Sequence, residues 1–425
     1  VGGAGVESRR LRMTSPSASA GVSDTTALLL AVLRDDTDPN FLLLSHHEWR
    51  DLLEAARNHR VAPLVWHRIA ERSALGQIPE SAGTSLHRHY LAGWLGAQSW
   101  QKQLEQALAA LHEGGVPAIL LKGAYLARHA YPDAALRPMG DIDLLLPASR
   151  MRDGRDALER VGYTLRDPEE WRAWEMHREH RHPPPLAREG CLSIELHDVI
   201  EPTHQPFSLP LHDVWSRAAP VDSQPGSALA LSPEDLLLHL ATHMGRSHLL
   251  GSSLVRVCDV AFWSVQFGAT ADWDAVMNRA RQFGMRRFVY TALELARRSL
   301  GASIPEEPRR VLHSAEDDAV IEHALALLAE HRTIMSGSLS LTRPDRWAPL
   351  RFAAAARALT LPTSAIPSVV TDADEVGDLS MEVGRQTRGT GWKRLLRLLK
   401  NRGEVHSLLR GASRVRELRA WADDA

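Results

Sequence analysis

Residues 118–147, AILLKGAYLARHAYPDAALRPMGDIDLLLP, decide how the rest of the chain is read. The apolar run VPAILLKG, residues 116–123, is closed by glycine as a buried strand should be. Ala124 to Tyr131 has room for two helical turns, and the proline-containing segment up to Gly140 reads as a loop. DIDLLLP then alternates and runs apolar, which predicts a second strand and a strand–helix–strand unit. In a strand, residues two apart share a face, so Asp141 and Asp143 project together while Ile142 and Leu144 pack behind them.

Working outward, CLSIELHDVI (Cys191–Ile200) predicts a third strand. The same parity puts Ser193, Glu195 and His197 on one face, with Ile194 and Leu196 on the other. Laid beside the second strand, the third brings Glu195 to the aspartate pair. Unit charges about 4 Å apart repel by roughly 4 kcal/mol at an effective dielectric near 20. Three clustered carboxylates therefore call for a cation, and magnesium fits hard oxygen ligands and phosphate substrates. Asp-x-Asp also occurs at Asp36/Asp38, Asp272/Asp274 and Asp372/Asp374. Asp272 and Asp274 flank Trp273 at an expected helix start, where acids favour the positive end of the helix dipole, and the other two pairs sit in polar stretches. Only Asp141/Asp143 open an apolar strand after a glycine turn; the alternative for that pair is a solvated strand edge.

Lysine occurs only at Lys102, Lys122, Lys393 and Lys400 in a chain with 50 basic residues. Arginine forks onto phosphate in a plane, whereas lysine is a compact charge on a flexible stem that can follow a phosphate as it moves. Lys122, just before Gly123 and a helix N-terminus, stands where a triphosphate also meets free backbone N–H groups. The alternative is a solvated lysine at a strand end.

The remainder organises around this unit. At 425 residues, 44% hydrophobic and 24% charged, the composition is globular and long enough for about two to three domains. A formal charge of −2 argues against a surface devoted to nucleic acid. Cys191 and Cys258 are too few for a disulfide framework, no apolar run reaches membrane-spanning length, and a reducing cytoplasm is the expected compartment. Residues 1–24 are small and polar and read as disordered, with Met13 a candidate start and Val1 a literal reading of a non-AUG codon. Residues 25–115 carry apolar residues three and four apart and read as helical; 116–225 make an α/β core; 226–335 return to helix. There Ser232, Pro233 and Asp235 form an S-x-x-[DE] helix start. Residues 336–425 are a mixed tail. From Arg385 onward they carry eleven basic residues against four acidic ones, and an amphipathic helix there raises contact with RNA or an anionic membrane as one reading and packing on its own domain as the other.

The ordered series LKG, LRPMGDIDLLL and IELH, followed by SPEDLLLHLATH, VRVCDVAFW and ADWDAV, resembles bacterial nucleotidyltransferase-like proteins of the DNA polymerase β superfamily, over about Leu53 to Pro305. The resemblance implies an α+β minimal nucleotidyltransferase core, a small mixed sheet with helices, flanked by helical regions. It implies Asp141 and Asp143 as metal ligands and Glu195 as the third acidic residue. It also implies transfer of a nucleoside monophosphate from an NTP, ATP foremost, with two Mg²⁺ ions, Mn²⁺ being the alternative. Lys122 and Gly123 stand where the wider superfamily usually carries Gly-Ser for the triphosphate. The association of such proteins with natural-product and polysaccharide biosynthesis implies a small-molecule, peptide or glycan acceptor. On this reading Glu195 binds the ion that activates the acceptor hydroxyl or serves as its base. Arg137 neutralises the leaving pyrophosphate or, alternatively, pairs with Asp133. His243 and His197 are candidates for the acceptor pocket, a core histidine being the alternative for His243. The rival reading is a catalytically degenerate module that binds nucleotide or a partner. His177, His180 and His182 lack the further ligand that a zinc site needs, and Arg256 with Asp259 reads as a structural pair.

Overall fold

The computed structural model describes residues 24–37, 39–165, 167–177, 183–200, 209–221, 228–247 and 253–330. The basic C-terminal segment, the rest of the tail, His180 and His182 lie outside them. The chain opens with helices α1 (Asp24–Leu33), α2 (His46–Asn58), α3 (Ala62–Glu71) and α4 (Glu80–Glu113). Ser45 and Glu48 close a capping box on α2, satisfying backbone donors at that end. The 34-residue α4 extends about 50 Å at 1.5 Å per residue.

The sheet region follows in the order β1 (Ile119–Leu120), α5 (Lys122–His129), β2 (Asp141–Leu145), α6 (Met151–Arg160), β3 (Thr164–Leu165), α7 (Pro168–His177), β4 (Leu186–Ala187) and β5 (Ser193–His197). Then come α8 (Leu211–Arg217), β6 (Ala219–Pro220) and β7 (Leu229–Ala230). The seven strands form one mixed sheet in the order β3-β4-β5-β2-β1-β7-β6. This is an α+β fold with helices flanking a mixed sheet. Strand β1 pairs antiparallel with β2, although they are joined through a helix, and parallel with β7. At the centre β2 and β5 run parallel, with Asp141 opposite Ser193, Asp143 opposite Glu195 and Leu145 opposite His197. Ile142, Leu144, Ile194 and Leu196 are wholly buried on the other face, each worth about 1.5–3 kcal/mol of transfer free energy. That burial sets the register, since a one-residue slip would turn them all outward.

Helices complete the chain: α9 (Pro233–Thr242), α10 (Leu254–Phe267), α11 (Trp273–Gln282), α12 (Arg286–Leu300), α13 (Glu306–Leu312) and α14 (Ala315–Glu330). Ser232 caps α9 through the Asp235 N–H at 3.2 Å. Asp235 itself turns inward, is fully buried, and takes Arg217 and Arg279, each at 2.8 Å, instead of closing a capping box. Asp272 caps α11, as expected of that Asp-x-Asp. Residues from α1–α3 (Leu29, Trp49, Leu52) share one hydrophobic cluster with residues from α9–α12 (Leu236, Trp263, Phe288). The sheet's inner face packs in a second cluster with α4, α6 and α7. Cys191 and Cys258 are both free thiols. Among the described residues no helix is long and apolar enough to cross a membrane.

Candidate active site

The chemistry-bearing side chains meet on the polar face of β2 and β5. Asp143 is buried, and a single carboxylate oxygen, Oδ1, accepts from Lys122 Nζ at 2.8 Å and lies 2.8 Å from His197 Nε2. An ionised carboxylate only accepts, so the Nε2 of His197 carries the proton in that contact. Burial alone would raise the Asp143 pKa, yet the charge of Lys122, with His197 beside it, holds it well below the usual carboxylate range. Glu195 Oε2 stands 4.0 Å from the same His197 nitrogen. Asp141, at the strand's start, is half-buried. Its carboxyl is pushed up by burial and by the charge of Asp143, against Lys122, Arg137 and Arg60. The pKa values of the two aspartates of one motif are thus driven apart, that of Asp143 down and that of Asp141 up.

The position of Lys122 has a backbone cause. Its φ is +43°, the left-handed region that glycine adopts without steric cost and other residues seldom enter. The next residue must be glycine for a separate reason: a Cβ on Gly123 would lie 2.1 Å from Arg137 Nη1 and 2.5 Å from the Met139 sulfur. The guanidinium of Arg137 therefore rests against the first turn of α5.

Asp143, Glu195 and His197 offer ligand atoms that all lie within 4.8 Å of one another, a group able to hold a metal ion. Two carboxylates and an imidazole form a donor set for a hard or borderline divalent cation. Residues 45–301 match the family described as uncharacterised nucleotidyltransferase. The chain belongs to that family. No curated protein matches it. The solution structure of the antibiotic-resistance factor ANT(2'')-Ia is a structural neighbour at 14% identity and a TM-score of 0.31, covering 45% of this chain and 92% of that one. Family membership supports transfer of a nucleoside monophosphate as the general chemistry.

The residues singled out in the sequence fall into two groups. Lys122, Asp143, Glu195 and His197 come together, while Asp141 stands two residues before Asp143 on the same strand, opposite Ser193. Arg137 instead reaches helix α10, where its Nε and Nη2 each meet a different oxygen of Asp259 at 2.8 Å. Tyr131 donates to the same carboxylate at 2.8 Å. Asp133, the partner weighed for Arg137, accepts from Tyr90 and caps a short turn through Ala135. Arg256 shares the field of Asp259 with Arg137. His243 begins a π-helical turn after α9, half-buried, its ring 6.0 Å from that of His239. His197, a candidate for the acceptor pocket, meets Asp143 Oδ1 at 2.8 Å. The signal for that was present, because S-x-E-x-H places it on the carboxylate face. Arg60, whose Nη2 donates to the Pro138 carbonyl at 3.0 Å beside the start of β2, carried no such signal.

Proposed function

We propose that this chain is a divalent-cation-dependent nucleotidyltransferase that moves a nucleoside monophosphate from an NTP, ATP foremost, to a hydroxyl-bearing small molecule, peptide or glycan. The observation that carries the reading is the parallel register of β2 and β5, which sets Asp143 against Glu195 and leaves Asp143, Glu195 and His197 within a cation's reach. Asp141 and Asp143 with Glu195 are the proposed holders of Mg²⁺, two ions in the full arrangement. His197 beside them makes Mn²⁺ a good alternative, since imidazole suits softer divalent ions. A bound cation supplies charge neutralisation for the phosphates and lowers the pKa of the attacking hydroxyl.

The chain's own residues do the rest. The acceptor oxygen attacks the α-phosphorus, the bond from that phosphorus to the bridging oxygen breaks, and pyrophosphate leaves with the bonding electron pair. Glu195 is half-buried on the same face as Asp143 and is the candidate to take the hydroxyl proton or to hold the ion that activates it. Lys122 is the candidate for the phosphate chain. It reaches that task by leaving Asp143, a movement a four-carbon stem permits and a rigid fork does not. Arg137, closed on Asp259, acts as the wall of the α5 terminus, and charge neutralisation at pyrophosphate is its long-range contribution. His243 is a candidate for the acceptor side.

One observation favours a second reading, a module that binds nucleotide without turnover: Lys122 already neutralises Asp143, where the wider superfamily carries Gly-Ser. Titration of the four NTPs with and without Mg²⁺, with pyrophosphate release followed in the same samples, separates the two. Cation-dependent binding and release, both lost in Asp143→Asn, support the enzyme. Binding without release, across a panel of acceptors, selects the module. Absence of binding with any NTP and either cation overturns both.

A further inference from the structure

A cleft opens where α2 faces the first turns of α4. One wall is a single face of α2, on which His46, Trp49, Arg50, Leu53 and Arg57 recur at helical spacing. The other is the start of α4, where Ser81 and Ser85 stand one turn apart. Its volume is about 310 Å³, at the small end of the roughly 300–1,000 Å³ that ligand clefts occupy.

The charge on these walls has one sign. Two guanidiniums and an imidazole line the cleft, and no carboxylate does. The acids of α2 are placed elsewhere. Glu48 closes the capping box with Ser45, and Glu54 does not line the cleft. Asp51 takes His47 at 2.9 Å, and its 3.4 Å approach to Arg50 is at the limit of a hydrogen bond. Arg57 makes no ion pair among the described residues. Both arginines reach solvent, so a ligand meets them without first breaking a buried pair.

Between the cations the wall is apolar. Trp49 is buried, with its ring 5.9 Å from that of Phe41, and Leu53 follows one turn later. The indole Nε1 has no hydrogen-bond partner among the described residues. The polar groups of the walls are therefore donors, apart from two hydroxyls that serve either way. Such a surface complements anionic oxygens.

We propose that this cleft binds a small organic anion, a phosphate or carboxylate carried on an apolar body. Arg50 and Arg57 take the anionic oxygens, which a guanidinium fork matches in pairs, and the apolar part lies against Trp49 and Leu53. The inference goes beyond nucleotidyl transfer and stands apart from it, since no residue of the cleft belongs to the carboxylate cluster on β2 and β5.

The test is titration of phenyl phosphate, and separately of benzoate, into the full chain in EDTA, followed by ligand proton NMR. Inorganic phosphate and benzyl alcohol serve as competitors, and the same titrations are run on the double variant Arg50→Gln/Arg57→Gln. Circular dichroism checks the fold, and Arg57→Gln decides alone if the double variant does not fold. The expected result is saturable binding of phenyl phosphate to the wild type, weakened about tenfold or more in the variant. Inorganic phosphate should compete about tenfold less well than phenyl phosphate itself, and benzyl alcohol not at all. Benzoate binding as tightly as phenyl phosphate makes negative charge the requirement, and tighter binding of phenyl phosphate makes a phosphate the preferred head; both keep the site. Wild-type affinity in the folded variant, or no saturable binding of either anion to the wild type, overturns it. Inorganic phosphate competing as well as phenyl phosphate, or benzyl alcohol doing so, overturns the organic anion as its ligand.

Discussion

Lys122 and His197 address the same oxygen of Asp143, each at 2.8 Å. A carboxylate so placed is compensated without a cation, and a cation that binds it competes with the ammonium. Replacing Lys122 with Met leaves a buried charge facing the imidazole alone. Breaking a buried pair from one side costs about 3–5 kcal/mol, so Lys122→Met should melt well below the wild type in chelator. Added MnCl₂ should then raise the variant's melting temperature by more than it raises the wild type's. Equal shifts in the two proteins, read by thermal scanning with EDTA and with Mn²⁺, would show that cation and lysine do not share Asp143.

Asp143 and Glu195 sit in register but in different surroundings, one buried and one half-buried. Asp143→Asn should remove cation-dependent NTP binding altogether. Glu195→Gln, if Glu195 takes the acceptor proton, should retain NTP binding while pyrophosphate release falls by about 10²–10⁴-fold, the usual worth of a general base. Loss of NTP binding in both variants would make Glu195 a cation ligand first. Unchanged release in either would end its proposed role.

The parts of this arrangement that were legible in the sequence are those written in local periodicity. The face shared by Asp141 and Asp143, and that shared by Glu195 and His197, follow from a two-residue repeat in strands long enough to show it. The four flanking strands are two residues each, too short to carry a period, and were not foreseen. Nor was the packing of α1–α3 onto α9–α12, which is a long-range burial between segments that each read as ordinary amphipathic helix. Arg137 and Asp259 are 122 positions apart; spacing rules offered Asp133 and Arg256 as partners because only near neighbours are visible to them. Arg60 is beside the start of β2 because His59 is tied to Ser253 and Leu254, a tertiary bond with no local signature.

The Arg137–Asp259 pair should behave as architecture. Both side chains are nearly buried, Tyr131 shares the carboxylate, and the guanidinium fills the space a Cβ on Gly123 would need. Asp259→Asn should lower stability by about 3–5 kcal/mol, as expected for a one-sided break of a buried pair. Arg137→Met should cost a similar amount and also loosen the α5 terminus. Gly123→Ala should destabilise as well, because Arg137 and Met139 have to move. Chemical denaturation of the three variants checks this, and near-wild-type midpoints for Asp259→Asn and Arg137→Met would return Arg137 to a direct role at the phosphates.

Glu294 on α12 offers a pH-dependent contribution far from the carboxylate cluster. Its side chain is almost fully buried and meets Arg297 Nη2 at 2.8 Å and Arg309 Nε at 2.6 Å. Burial pushes its pKa up, but the two guanidiniums outweigh that and hold it below the usual 4.5. A carboxyl whose folded pKa is depressed stabilises the protein above its unfolded pKa, and the stabilisation is lost as pH falls through the folded value. Hydrogen bonds to charged groups contribute about 1.5–3 kcal/mol. Glu294→Gln should therefore be less stable than the wild type by roughly that amount at pH 7, and the gap should close on acidification below about 4.5, as the wild-type carboxyl takes up its proton. Urea unfolding at a series of pH values measures the gap directly. A difference that stays constant down to pH 3 would mean that the loss comes from packing around α12 and α13, with the charge of Glu294 contributing nothing.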